Sequence, residues 1–91
     1  MQKVDVMVKL LLARQLAGRK LITNDGEELG RLVDIIINEK NGRLETLVVE
    51  PNPDNMSMRK ARKEEGNVYI PYTAILAASD YVIVDRKTIG I

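Results

Sequence analysis

Asp34 is the strongest candidate for a reactive side chain, because it lies inside the apolar stretch from Leu29 to Glu39. A carboxylate in such a stretch costs free energy unless it is hydrogen-bonded or paired. Asp34 is therefore a candidate catalytic or ligand-binding acid. Alternatively, it points inward and caps loop amides or pairs with Arg19, Lys20 or Arg31. No second catalytic group accompanies it at a defined spacing, which favours the structural role.

A basic cluster in the second half of the chain could contact phosphates of a nucleic acid or an anionic lipid surface. Its members are Arg59, Lys60, Arg62 and Lys63. Glu64 and Glu65 follow at once, and no aromatic residue is interleaved to stack on bases. The pattern therefore favours a solvated loop over a nucleic-acid or lipid contact.

The composition argues against most hydrolases and metalloenzymes. The 91 residues contain no Cys, which excludes disulfides, thiolate zinc sites and cysteine nucleophiles, and no His, the commonest general base. We expect no catalytic residue, no metal site and no cofactor. The net charge of +1 is too small to attract nucleic acid by bulk electrostatics. The longest apolar run, residues 74–78, is far shorter than the roughly 20 residues of a membrane span. A cytoplasmic protein is therefore expected.

Two turn dipeptides, Asp25-Gly26 and Asn41-Gly42, define the elements that carry these residues. Each suits the type I′ turn of a β-hairpin, and apolar, β-branched stretches flank both. Three consecutive antiparallel strands are thus predicted. Gly30, near the start of the long second strand, indicates a bulge or a bend.

Further strands are predicted at residues 67–70 and 81–84, with a helical turn over Tyr72 to Ala78 between them. Residues 52–66 are polar and predict a long surface loop, with a helical fragment near residues 57–65. The sequence thus predicts a mostly β fold, a small antiparallel β-barrel of five to six strands with one short helical turn. So few residues leave an interior filled by side chains, which argues against a small-molecule-binding barrel.

The amino-terminal segment alternates apolar and other residues at period two, which favours a strand. The stripe consists of Val4, Val6, Val8, Leu10 and Leu12. A helix from about Val6 to Leu16 is the alternative. As a strand, the stripe either joins the barrel or projects and pairs with another subunit at an open sheet edge. Ile89 and Ile91 would extend the same patch.

The order and spacing of several motifs from Leu16 to Arg86 resemble those of a PRC-barrel domain. In the front half they are Leu16 to Ile22, Asp25-Gly26, Leu29 to Asp34, Asn41-Gly42 and Leu47 to Val49. In the back half they are Val68 to Tyr72, Ile75 and Asp80 to Val84. This divides the chain into an amino-terminal strand or arm (1–15), a PRC-barrel domain (16–86) and a carboxy-terminal tail (87–91).

Within that family the chain resembles most the small stand-alone archaeal proteins called cell division protein B. The resemblance implies a non-enzymatic adaptor that forms a homodimer or larger assembly. It also implies binding to SepF, the membrane anchor of the FtsZ ring, or to a second PRC-barrel protein, and recruitment to the division site. Outer-face aliphatic residues such as Leu32 and Ile36 would supply the contact. The alternative is an adaptor of ribosome maturation or RNA processing resembling RimM, which would use the basic cluster.

Overall fold

The computed structural model describes residues 13–90, in which six strands form one sheet. The strands are β1 (Lys20–Thr23), β2 (Glu28–Ile37), β3 (Leu44–Pro51), β4 (Val68–Pro71), β5 (Ile75–Ala78) and β6 (Tyr81–Val84). Helix α1 (Met56–Lys60) lies between β3 and β4, a 3₁₀ turn (Tyr72–Ala74) joins β4 to β5, and α2 (Arg86–Ile89) follows β6.

The strand order is β4-β3-β2-β1-β6-β5, and each neighbouring pair is antiparallel except β1 and β6, which are parallel. All six strands pack side chains into or against a single hydrophobic core, so the sheet must curl around it. The predicted mostly β, barrel-like fold is confirmed. The sheet is not closed, because β4 and β5 lie at its two ends and do not pair with each other.

Both predicted hairpins are present, but their turns are not of type I′. That turn needs positive φ at both central residues, and among residues 13–90 Glu65 is the one non-glycine residue with positive φ. In the first hairpin Gly26, with φ of 88°, donates its N–H to the Thr23 carbonyl at 2.9 Å. The three-residue loop with a left-handed glycine still matches the twist of the strands, so the hairpin forms.

The type I′ geometry occurs instead at Glu65-Gly66, where both φ angles are positive, at 52° and 83°. Glu64 and Asn67 flank this turn and exchange two backbone hydrogen bonds of 2.9 Å. The sequence pattern predicted Glu65 and Gly66 to be part of a polar surface loop. A glutamate seldom takes positive φ, so the local signal was weak.

A β-bulge in β2 decides which of its side chains face the core. Leu32 pairs with Val49, and Asp34 pairs with Val48, so Val33 is the extra residue. The extra residue lets Leu32 and Ile35, three positions apart, both face the core, although strict alternation would put them on opposite faces. The prediction that Leu32 stands on the outer face is therefore wrong, since its side chain is only 1% exposed. The bend predicted at Gly30 is confirmed by a register shift where β2 pairs with β1.

The segment after β4 differs from its prediction. Tyr72–Ala74 forms a 3₁₀ turn as expected, but Ile75–Ala78 is a strand and not a helical continuation. Ile75, Ala77 and Ala78 pair with β6, and this pairing overrides the helix propensity of an alanine-rich run. The predicted loop over 52–66 contains α1, which places the fully buried Met58 in the core.

The amino-terminal stripe from Val4 to Leu12 lies outside the described residues, as does Ile91. Residues 13–16 are α-helical, and Ala13 is buried in the core. This end of the segment matches the helical alternative.

Candidate interaction surface

The outer face of strands β2, β3 and β4 carries aligned apolar side chains. Directly paired residues of neighbouring strands point to the same face of a sheet. One row consists of Ile36, Thr46 and Pro71, and the adjacent row consists of Asp34, Val48 and Tyr69. We call Ile36, Thr46, Val48, Tyr69 and Pro71 the outer-face patch.

The patch contains both exposed and sheltered apolar side chains. Ile36 and Tyr69 are each 41% exposed, although both are large and apolar in body. Val48 is only 8% exposed, yet it is not part of the core cluster. It is therefore sheltered on the outer face by its neighbours. Exposed apolar residues grouped on one face are the informative exception in a folded protein.

Two charged residues from the loop before β4 border the patch. Arg62 and Glu64 line a cleft of about 320 Å³ together with Thr46 and Tyr69. The tight Glu65-Gly66 turn holds Glu64 in place beside β4. Tyr and Arg are enriched among the residues that dominate binding energy at protein interfaces. An apolar centre with a charged border matches the general layout of protein interfaces, a hydrophobic core with a polar rim.

The residues of the basic cluster line different surface depressions. Arg59 and Lys63 line an open groove of about 570 Å³ with Pro51 and Pro53, and Lys60 lines a separate depression. Lys63 Nζ donates to the carbonyls of Arg59 and Ala61, at 3.0 and 3.1 Å. Arg62 lies beside Tyr69 as described.

Asp34 does not point inward as the structural alternative predicted, but it does cap a backbone amide. Its side chain is exposed, and its carboxylate accepts the N–H of Ile35 at 2.8 Å beside the bulge. Among residues 13–90, no group of three or more Asp, Glu, His or Cys side chains could hold a metal ion.

The predicted contact residues are distributed over different environments. Ile36 lies in the outer-face patch, whereas Leu32 lies in the core. Ile89 is half-buried and packs against the core of its own chain, because Asp85 caps α2 and places the helix there. The sequence reading missed Tyr69 and Val48. Their pairing across β3 and β4 could have indicated a shared face, had the register been known.

A second polar cluster joins the first hairpin to both helices and is structural. The Glu27 carboxylate accepts hydrogen bonds from Asn55, at 2.7 Å, and from the guanidinium of Arg86. Arg86 also donates to Asp25 at 3.0 Å. A hydrogen bond from the Thr23 hydroxyl, together with Arg86, lowers the pKa of Asp25 below its usual value. Asp25 and Arg86 lie 61 residues apart in sequence, so only the fold brings them together.

Comparison with known proteins places the chain in a family. The profile of the PRC-barrel domain matches residues 9–88, and the protein therefore belongs to the PRC-barrel family. PRC-barrel domains are a non-catalytic family that mediates protein interactions.

One relative is an archaeal protein, the uncharacterized protein MJ1118 of Methanocaldococcus jannaschii. It is 41% identical over 79 residues, which cover 86% of this chain and 84% of the relative. In the part of the chain that the structure describes, no helix is long and apolar enough to cross a bilayer.

Proposed function

We propose that this protein is a non-enzymatic archaeal cell-division adaptor that self-associates and docks a SepF-like partner through the outer-face patch. Membership of the PRC-barrel family supports an interaction module, and the resemblance of the chain to cell division protein B supports the choice of partner. The observation that carries the proposal is the alignment of Ile36 and Tyr69 on one exposed face, with Arg62 at its border.

The physical basis of docking is removal of apolar surface from water. Ile36 and Tyr69 already stand on a rigid three-stranded platform, so binding orders little that was free. Arg62 and Glu64 at the border would select partner orientation through complementary charge and not through bulk attraction. Glu64 and Glu65 follow the basic cluster directly and no aromatic residue is interleaved with it, which makes the RNA-associated alternative the weaker of the two.

The test measures the affinity of the full chain for a SepF-like protein from the same organism by isothermal titration calorimetry. Ile36→Asp places an unpaired charge in the patch and should weaken binding at least about 30-fold, the equivalent of about 2 kcal/mol. Met56→Asp is the matched control, because Met56 is also exposed and apolar but lies in the first turn of α1, away from the patch. Its affinity should equal that of the unchanged protein.

Salt dependence separates the two candidate functions. Binding through the patch should change little between low and moderate salt. Binding of RNA through the basic cluster would weaken steeply with salt. Equal loss of affinity in Ile36→Asp and Met56→Asp, or no loss in either, would contradict the assignment of the patch.

A further inference from the structure

The two ends of the sheet are protected very differently. At one end, β4 finishes with Pro71, which has no N–H to offer to another strand. Residues of both helices, including Met58 and Ile89, line a depression with Val68 and Ile70 beside this strand. Proline and covering helices are standard means of blocking an edge strand.

The other end, β5, has no proline and no charged residue along its length, although it is only four residues long and Leu76 forms a bulge where it pairs with β6. Its four residues are Ile75, Leu76, Ala77 and Ala78, without a charge or a proline. It pairs with β6 on one side, and it has no second strand partner among residues 13–90. Leu76 is 57% exposed, and both alanines are exposed. An uncharged apolar edge strand is a template for pairing with another chain.

The surrounding sequence points to a particular occupant. Residues 66–79 contain no charged side chain, in a chain of which 30% is charged. The nearest charge after the strand, Asp80, is engaged by Arg19 of the same chain at 3.5 Å. Two copies of β5 placed antiparallel therefore bring apolar residues opposite apolar residues in every register within the strand. The edge is self-complementary, as a two-fold interface requires.

We propose that β5 pairs with β5 of a second copy of this chain, antiparallel about a two-fold axis, so that two sheets join into one. This rests on the self-association in the proposed function and names the surface that performs it. The outer-face patch stays free in such a dimer, because strand addition uses the edge of the sheet while the patch lies on the outer face of β2 to β4. One assembly could then present two patches to its partner.

Single-cysteine variants test the geometry directly, because the chain contains no cysteine of its own. In an antiparallel two-fold pair, one residue near the axis lies opposite its own copy, at a separation that a disulfide can bridge. Leu76→Cys, Ala77→Cys and Ala78→Cys, each oxidised in the full chain, should give a cross-linked dimer with a sharp maximum at one position. Val33→Cys is the control, because Val33 is exposed but lies on β2. Equal cross-linking at all four positions would mean random collision and overturn the proposal.

Light scattering over a concentration series supplies the second measurement. Leu76→Lys puts a charge on the edge and should weaken association at least ten-fold, whereas Val33→Lys should leave it unchanged. If Leu76→Lys associates as strongly as the unchanged chain, the protein self-associates but not through β5, and the β5 proposal is overturned. Loss of association in Val8→Lys alone would assign the contact to the amino-terminal stripe and also overturn it. A chain that is monomeric at every concentration would refute self-association itself, while partner docking is judged by the calorimetry described above.

Discussion

Asn55 is the residue whose replacement tests the packing of the fold most directly. Its side chain is 5% exposed and makes three hydrogen bonds. The side-chain oxygen accepts the N–H of Met58 at 2.9 Å, which caps α1. The side-chain nitrogen donates to the Glu27 carboxylate at 2.7 Å and to the Glu28 carbonyl at 3.0 Å. One amide thus joins the start of α1 to the first hairpin.

The expected cost of Asn55→Ala follows from these bonds. Each contributes about 0.5–1.5 kcal/mol net, and loss of the cap leaves the amide of the fully buried Met58 without its acceptor. We expect the free energy of unfolding to fall by about 2–4 kcal/mol, a large share of the total for a small domain. The midpoint of thermal unfolding should fall by roughly 10–30 °C.

Urea unfolding followed by circular dichroism measures the change, with Asn67→Ala as the control, because the Asn67 side chain makes no hydrogen bond in the structure. Asn55→Asp sharpens the test. It keeps the oxygen that caps α1 but replaces the donor with a second carboxylate facing Glu27. At neutral pH it should be at least as destabilising as Asn55→Ala. A stable Asn55→Asp variant would refute the role assigned to the donor nitrogen.

Two further outcomes follow from single backbone and side-chain positions. Gly30→Ala should lower the free energy of unfolding in urea by more than about 3 kcal/mol, because the added Cβ would lie 2.0 Å from the Glu50 carbonyl oxygen at a φ of 155°. Gly18→Ala is the control. Its Cβ meets no atom within 4 Å, so it should cost only about 1–2 kcal/mol for its positive φ. Thr23→Val should raise the pKa of Asp25 towards its usual value in a carboxyl NMR titration, because the Thr23 hydroxyl bond is the main cause that lowers it. The lowered pKa of Asp25 stabilises the folded protein at pH values above the pKa of the unfolded state, and this stabilisation is lost as the pH falls through the folded-state pKa. An unchanged titration curve of Asp25 in Thr23→Val would contradict the assignment.

Local patterns predicted the hairpins because their causes are local. Left-handed glycines next to Asp25 and Asn41, flanked by β-branched runs, are sufficient to turn the chain back. The type of turn was wrong, because Asp25 and Asn41 keep negative φ and the loops are longer by one or more residues. The Glu65-Gly66 turn was not predicted, because it lies in a polar stretch and glutamate seldom adopts positive φ.

The candidate site was predicted only in part. Ile36 was assigned to the outer face correctly, but Leu32 was not, because a single extra residue at Val33 changes which side of the sheet each residue faces. Tyr69 and Arg62 meet beside Thr46 only through the pairing of β4 with β3 and the path of the loop. Neither can be read from the spacing of residues in the chain.

The sequence by itself determined the class of this protein: a small, aliphatic, mostly β domain without cysteine or histidine. That follows from composition and from turn chemistry, which act over a few residues. The tertiary structure alone decided which strands lie at the ends of the sheet, which face carries Ile36 and Tyr69, and which end of the sheet lies beside α1 and α2. Those features depend on strand order and on a bulge, and both are settled by packing between segments that are distant in the chain.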